Sequence, residues 1–367
     1  MLAADVATRL ERVREQARDS GADAVLVTPG PDLRYLIGYD AVPLERLTCL
    51  VLPTVGDPVL VVPRLELLAA QASPGGPAGL EMRTWGETDD PYSLVMGLIP
   101  TARRVALDNH MWAEKVLRLR EVAPDREQML AGPILANLRM RKDETEVGAL
   151  LAAGAAIDAV HAQVPSLLRP GRTEAEVGAD IADLVLASGH VRVDFVIVAS
   201  GPNGASPHHE VSDRVLTDGD VVVVDIGGTM PDGYCSDCTR TYAVGHVPEG
   251  FQEHYDVLQK AQADAVAHSR AGVTCESVDR AARDTMTAAG LGDLFIHRTG
   301  HGIGLETHEE PYIVTGNTLR LEPGMAFSVE PGFYVEGRYG ARIEDIVIAS
   351  EDGAIVANHQ PRELVVA

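Results

Sequence analysis

Val221-Val222-Val223-Val224-Asp225-Ile226-Gly227, and after it Tyr234-Cys235-Ser236-Asp237-Cys238-Thr239-Arg240-Thr241, decide how this chain is read. Consecutive β-branched residues fix a buried strand, which then delivers a carboxylate at its end. A core strand does not finish on an unpaired charge without compensation. Met230-Pro231-Asp232-Gly233 between the two runs has turn composition. The pattern therefore predicts a hairpin with Asp225 and Asp237 side by side on one face. Two adjacent carboxylates without a cation force one of them to protonate, and a metal resolves that conflict.

Further ligand candidates lie downstream. Gly300-His301-Gly302-Ile303-Gly304 sets an imidazole among glycines that permit close backbone approach. Ser328-Val329-Glu330-Pro331-Gly332 ends a strand on a glutamate, and Arg342-Ile343-Glu344 puts Arg342 and Glu344 on one strand face. Four carboxylates and an imidazole carry a charge that two divalent ions would neutralise. Oxygen-rich ligation with a single nitrogen suits Mn2+ better than a thiolate-preferring metal, with Co2+ or Zn2+ as alternatives.

Composition narrows the partners. The 367 residues hold 54 acidic and 31 basic side chains, a formal charge of −23, with 46% hydrophobic residues. Residues 1–140 carry −4 of that charge and residues 141–367 carry −19, so the second part either tolerates self-repulsion or binds cations. Such a surface repels phosphate backbones and anionic lipid, which argues against nucleic-acid and membrane partners. Asp5, Arg9, Glu11 and Arg12 stand where a secretory leader needs an apolar run, and no uninterrupted apolar stretch approaches bilayer length. Four cysteines form no disulfide framework, so the expected location is the cytoplasm.

The early sequence alternates a helical pattern over 7–20, with Ala7, Leu10, Val13 and Ala17 on one face, and short strands at Ala24–Val27, Leu47–Leu52 and Val59–Val62. This argues a mixed α/β layer domain. Lys142-Asp143-Glu144-Thr145-Glu146 then opens a long Ala-rich helix reaching about Val164. The boundary falls within 135–142, giving domains 1–138 and 139–367. Two helix-rich stretches, 142–188 and 250–289, each precede β-rich sequence, an order compatible with internal duplication.

Asp225, Asp237, His301, Glu330 and Glu344, in that order and inside those motifs, resemble the five ligands of the pita-bread metallopeptidases. The nearest branch is the proline-specific one, prolidase and aminopeptidase P. The similarity covers about residues 142–360, and the preceding domain resembles the family's N-terminal domain in size and texture. The spacing between the aspartates is one residue longer than in most relatives, and the 230–233 turn is where it fits. The resemblance implies an α/β (α+β) chain, with a creatinase/prolidase-type domain over 1–138 and a pita-bread catalytic domain over 139–367. It also implies two divalent ions per subunit and a homodimer. Asp237 and Glu344 would bridge the ions, Asp225 would bind one, and His301 and Glu330 the other. His208 and His308 fall where the family keeps two non-ligand histidines that donate to the substrate carbonyl, and Glu330 would move the proton. Tyr334 would line the site and Arg342 would orient the carboxylates.

The implied activity is hydrolysis of the Xaa-Pro bond in dipeptides by a hydroxide shared between the metals, with small proline-containing peptides as partners. Aminopeptidase P, acting on longer Xaa-Pro peptides, is the alternative. Methionine aminopeptidase, a creatinase-like hydrolase and a metal-free binding protein are more distant ones. Prolidases often carry an Arg at the position held here by Tyr312, so Arg46 is the proposed substitute for binding the free carboxylate; its competing reading is a surface pair with Glu45 or Asp40. Cys235 and Cys238 read as packing residues, His209 as a solvated neighbour of His208, and Arg240 as fixing the strand end through an acid. The Gly300–Gly304 run lacks the strand–turn–helix setting of a dinucleotide loop.

Overall fold

A computed structural model describes residues 3–367, with side chains from residue 5 onward. The chain divides into two units between Arg139 and Met140. In the first, helix Ala3–Asp19 buries Val6, Leu10, Val13 and Ala17. Val6 takes the place expected for Ala7, which faces solvent, because the larger aliphatic side chain gains more from burial. The strands of this unit are Ala24–Val27 (β1), Cys49–Pro53 (β2), Val59–Pro63 (β3), Glu81–Trp85 (β4), Arg104–Leu107 (β5) and Glu127–Leu130 (β6). They form one mixed sheet in the order β4-β3-β2-β1-β5-β6, antiparallel only where β2 meets its two neighbours.

The second unit begins with helix Glu144–His161, started by a capping box in which Asp143 accepts from the Glu146 N–H and Glu146 answers to the Asp143 N–H. The span Glu144–Leu167 is long and apolar enough by composition to cross a membrane. Its apolar residues have a different use here. Ile157, Val160 and Val164 pack with Val177 and Ile181 of helix Glu174–Ala187 onto Val198, Val222 and Val224. Those valines belong to the sheet formed by Arg192–Ser200 (β7), Val221–Thr229 (β8), Cys235–Ala243 (β9) and, further along the chain, Val365–Val366.

Helices Phe251–His268 and Cys275–Ala288 cover a second sheet. Its strands are Gly300–Gly302 (β10), Glu309–Ile313 (β11), Ala326–Val329 (β12), Asp345–Ser350 (β15) and Gly353–Val356 (β16), in the order β11-β10-β12-β15-β16 and antiparallel throughout. A separate hairpin pairs Gly332–Val335 (β13) with Tyr339–Arg342 (β14).

β8 and β9 form the expected hairpin. Asp225 sits opposite Thr239 and Gly227 opposite Asp237, so the aspartates share a face but are diagonal neighbours. Gly227 is required there, since a Cβ would meet the Phe195 ring at 2.5 Å and the Ser236 carbonyl at 2.6 Å. The expected strand from Arg342 to Ala349 is broken at Ile343-Glu344, where the chain leaves β13 and pairs instead with β12 and β16. Ile343 turns into the core, and the Glu344 N–H donates to the Thr239 carbonyl (3.1 Å). The break thus delivers Glu344 to the hairpin carrying the aspartates.

Candidate metal centre

Each of the five expected donors reaches one cluster by a separate route. Asp225 and Asp237 project from the hairpin and are almost wholly buried. His301 lies on β10, where its N–H donates to Ser328 Oγ and its Nδ1 lies 3.1 Å from the Gly302 carbonyl. That leaves His301 Nε2 facing Glu330 at 3.2 Å and Asp237 at 3.7 Å. Glu330 follows β12, its backbone N–H held by the Thr299 carbonyl and its Oε1 by Ser328 Oγ (3.0 Å). Glu344 accepts from Thr239 Oγ1 at 2.8 Å.

The donor atoms fall into three groups, each within 4.8 Å of one another: Asp225, Asp237 and Glu344; His301, Glu330 and Glu344; and Asp237, His301 and His308. Burial, reinforced by the charges of Glu344, Asp225 and Glu330, pushes Asp237 well above the ordinary carboxylate range. Burial and the charges of Glu330 and Asp225 raise Glu344 likewise. Burial opposes the charge on Glu330 as well, but the His301 hydrogen bond together with the charges of His301, His297 and Arg342 outweighs it and holds Glu330 low. Asp225 gives one oxygen to Arg342 Nη2, while its buried Oδ1 has no hydrogen-bond partner. An orphaned carboxylate oxygen inside a ring of carboxylates is what a cation-binding donor set requires. The residues present fit a pair of divalent ions.

Two comparisons settle the family. The model of metallopeptidase family M24 matches residues 148–351, and that of the creatinase/prolidase N-terminal domain matches residues 9–141. The chain belongs to metallopeptidase family M24. It is a hydrolase with the α/β N-terminal domain and pita-bread catalytic domain of that group. It is 54% identical over 98% of its length to a probable dipeptidase PepE of Mycobacterium tuberculosis, covering 96% of that protein. It is 32% identical over 97% of its length to an Xaa-Pro dipeptidase of Lactobacillus helveticus, covering 98% of that chain. Among solved structures, a prolidase from Thermococcus sibiricus superposes with a TM-score of 0.91 at 34% identity, with 98% of each chain covered.

Around the M24 donors the structure gathers the remaining expected residues unevenly. The His308 ring lies 3.8 Å from that of His301, centroid to centroid. Burial, then the charge of His301, pushes His308 down to about 4. His208 is exposed on the segment after β7; the neighbouring Pro207 carbonyl accepts from Arg342 Nη2 at 3.3 Å. Arg342 is fully engaged, with Nε on Thr239 Oγ1 (3.2 Å) and Nη1 on the Tyr334 hydroxyl (2.7 Å). Arg46, in the N-terminal unit, is held by Glu45 at 2.7 Å and Glu87 at 3.1 Å, whereas Asp40 pairs with Arg34.

Arg240 does fix the strand through an acid, meeting Asp345 at 2.8 Å in the core. Cys49, Cys235, Cys238 and Cys275 are all buried free thiols, and burial pushes Cys235 up to about 12. His209 is not solvated: its Nε2 lies 2.8 Å from buried Glu174, which also gathers Ser200, Asn203 and Ser212. His297 escaped the sequence reading. Its Nε2 lies 2.9 Å from the Tyr334 hydroxyl, and its place four residues before His301 was the only available signal.

Proposed function

We propose that the protein is a cytoplasmic, homodimeric Xaa-Pro dipeptidase loaded with two Mn2+ ions per subunit. The observation that carries this reading is the five-donor cluster with its unpartnered Asp225 Oδ1. It lies in a chain that aligns over nearly its whole length with dipeptidases and Xaa-Pro dipeptidases. Four carboxylates and one imidazole favour Mn2+ over a thiolate-preferring metal. The homodimer follows from the resemblance to the proline-specific branch. Four unpaired thiols suit a reducing compartment.

Asp225, Asp237, His301, Glu330 and Glu344 would hold the ions. Glu344 stands with Asp225 and Asp237 in one group and with His301 and Glu330 in another, which suits a ligand shared between two cations. When bound, the ions make hydroxide available near neutral pH and polarise the scissile carbonyl. Glu330 takes the proton of the attacking water and delivers it to the prolyl nitrogen, a tertiary amide that carries no N–H of its own. His208 and His308 donate to the carbonyl oxygen as negative charge develops on it. Arg342 holds Asp225 in orientation, and Tyr334, fixed by Arg342 and His297, lines the substrate space. Arg46 is the cation proposed for the carboxylate after proline; its ion pairs with Glu45 and Glu87 are with exposed acids and are therefore easily exchanged.

The test is hydrolysis of Ala-Pro and of Ala-Pro-Ala by the Mn2+-loaded protein, before and after chelation. Preference for Ala-Pro, lost on chelation and restored by Mn2+, is the expected result. Preference for Ala-Pro-Ala would transfer the chain to aminopeptidase P, and undiminished hydrolysis without metal would overturn the site.

A further inference from the structure

Glu309 follows His308 in the chain but is turned into the protein. His308 is exposed at the end of the loop over 303–308, which joins β10 to β11, whereas Glu309 opens β11 and is buried. The Glu309 carboxylate lies under that loop, since a Cβ on Gly304 would meet its Oε1 at 2.7 Å and its Oε2 at 3.2 Å. Lys142 Nζ takes the same Oε1 at 2.6 Å, and the two side chains are 1% and 7% exposed. Lys142 in turn rests on fixed backbone. Its N–H donates to the Gly324 carbonyl at 3.0 Å, while Arg141 beside it bridges Met325 and pairs with Glu322 at 2.6 Å. The ammonium thus stands on the segment leading into β12, the strand that precedes Glu330.

Among the described residues the His308 imidazole makes no hydrogen bond. Its ring contact is with His301, 3.8 Å between centroids, and its ring nitrogen falls in one group with donors of Asp237 and His301. Where the imidazole sits therefore depends on how the backbone of the loop is held. Two bonds hold the start of the loop, from Ile303 N–H to the Ala326 carbonyl at 3.3 Å and from Cys235 N–H to the Gly304 carbonyl at 2.8 Å. The Lys142–Glu309 pair holds the far end, next to His308 itself. Apolar side chains of similar volume would give a core at least as stable as a buried ion pair does, so stability alone does not account for this one. A charged hydrogen bond fixes one oxygen at one short distance, which an apolar contact does not.

We propose that Lys142 and Glu309 form a positioning pair for His308. The ammonium fixes the Glu309 carboxylate beneath Gly304 and so sets the imidazole beside the donor cluster, where it donates to the substrate carbonyl. The proposal rests on the reading of His308 as that donor and names the residues on which its aim depends. Both act through His308, and neither is assigned a contact with substrate. Misplacing a reacting group by about 1 Å costs on the order of 10²-fold in rate, so the effect belongs in kcat rather than in KM or metal content.

The experiment removes both charges while keeping the shapes, in Lys142→Met combined with Glu309→Gln. Ala-Pro hydrolysis by the Mn2+-loaded full-length protein is measured with and without His308→Ala. With His308 present, kcat is expected to fall roughly tenfold or more, with KM unchanged within about twofold and bound metal retained. In the His308→Ala background the same changes should lower kcat by less than about twofold, because the group through which the pair acts is already gone. A general structural defect would lower kcat by the same factor in both backgrounds and would overturn the proposal. Unchanged kcat with His308 present, or loss of metal, would overturn it too. If thermal melting shows that the neutral pair does not fold, Glu309→Asp takes its place, keeping the charges while withdrawing the carboxylate from Gly304. The same dependence on His308 is then expected, and equal losses in both backgrounds again count against the pair. Wild-type kcat in His308→Ala alone would instead refute the reading of His308, and a wild-type protein inactive on Ala-Pro would refute the dipeptidase reading.

Discussion

Glu174 offers the sharpest perturbation outside the donor cluster. It is the first residue of helix Glu174–Ala187 and is wholly buried. Its carboxylate accepts from the Ser200 N–H (2.7 Å), Ser200 Oγ (2.6 Å), Asn203 Nδ2 (3.1 Å) and Ser212 Oγ (2.6 Å), and His209 Nε2 lies at 2.8 Å. These partners lie along the segment that carries Pro207 and His208. Glu174→Ala leaves them facing a cavity. At about 1–3 kcal/mol for each buried group stranded, two such groups give a loss of about 2–6 kcal/mol. At roughly 2–4 °C per kcal/mol for a domain of this size, the melting temperature should fall by about 4–24 °C. Glu174→Gln keeps the shape and one acceptor oxygen, so it should lose less than half as much. Burial raises the Glu174 pKa, but the hydrogen bonds from Ser200 and Ser212 and the His209 contact outweigh it and hold the group below its ordinary value of 4.5. Its contribution is therefore complete above pH 4.5 and is lost as pH falls through the lowered folded value. Calorimetry across pH 3–7 should show a flattened acid limb in Glu174→Ala, and kcat on Xaa-Pro substrates should fall with metal content retained. An unchanged melting temperature together with unchanged kcat would refute the reasoning, because the segment would then be held by something else.

Other perturbations separate the remaining roles. Asp237→Asn and Glu344→Gln should reduce bound metal more than a change at Asp225, as measured by elemental analysis; equal losses would count against ligands shared by two ions. His208→Ala and His308→Ala should lower kcat by roughly 10²–10³-fold each with metal content intact, and loss of both ions in His308→Ala would make His308 a ligand. His161 sits between the Tyr242 hydroxyl and the Cys238 carbonyl, and burial, then the charge of Arg240, pushes it down to about 3 from an ordinary value of 6.5. It stays neutral when folded and charges when unfolded, so its stabilisation is complete above pH 6.5 and is lost progressively as pH falls toward 3. Between pH 7.5 and 5 this amounts to about 2 kcal/mol, a loss that His161→Gln should abolish in denaturant titrations.

The clustering of the five candidate donors was legible because each sits in a short motif whose local character is unusual. A valine run ending in an aspartate, or a histidine ringed by glycines, conflicts with ordinary strand or loop composition and so announces a site. What lay beyond reach depended on pairing between distant segments. The break at Ile343-Glu344 exists because β14 and β15 belong to different sheets, which alternation within the segment cannot register. His209 looked solvated because its partner Glu174 is 35 residues away in sequence. Arg240 was legible in role though not in partner, since a buried arginine must find an acid and Asp345 was one of many.

The two buried arginines of the cluster explain how an acidic centre survives folding. Arg240 spends its donors on backbone carbonyls, those of Glu344 (2.6 Å), Thr239 (2.9 Å), Gln360 (2.9 Å) and Pro361 (2.9 Å), and on Asp345. It therefore fixes where the Glu344 backbone runs without neutralising the Glu344 side chain. Arg342 neutralises Asp225 through one oxygen and leaves the other unpartnered. Thr239 and Ser328 each hold one oxygen of Glu344 and Glu330, and the Gly302 carbonyl lies beside His301 Nδ1, on the side away from the cluster. Protein contacts thus set the orientation of each of these donors while supplying less positive charge than the cluster carries. That shortfall keeps Asp237 and Glu344 raised, and only cations from solution can remove it. Geometry is settled before the ions arrive, and charge is settled by them.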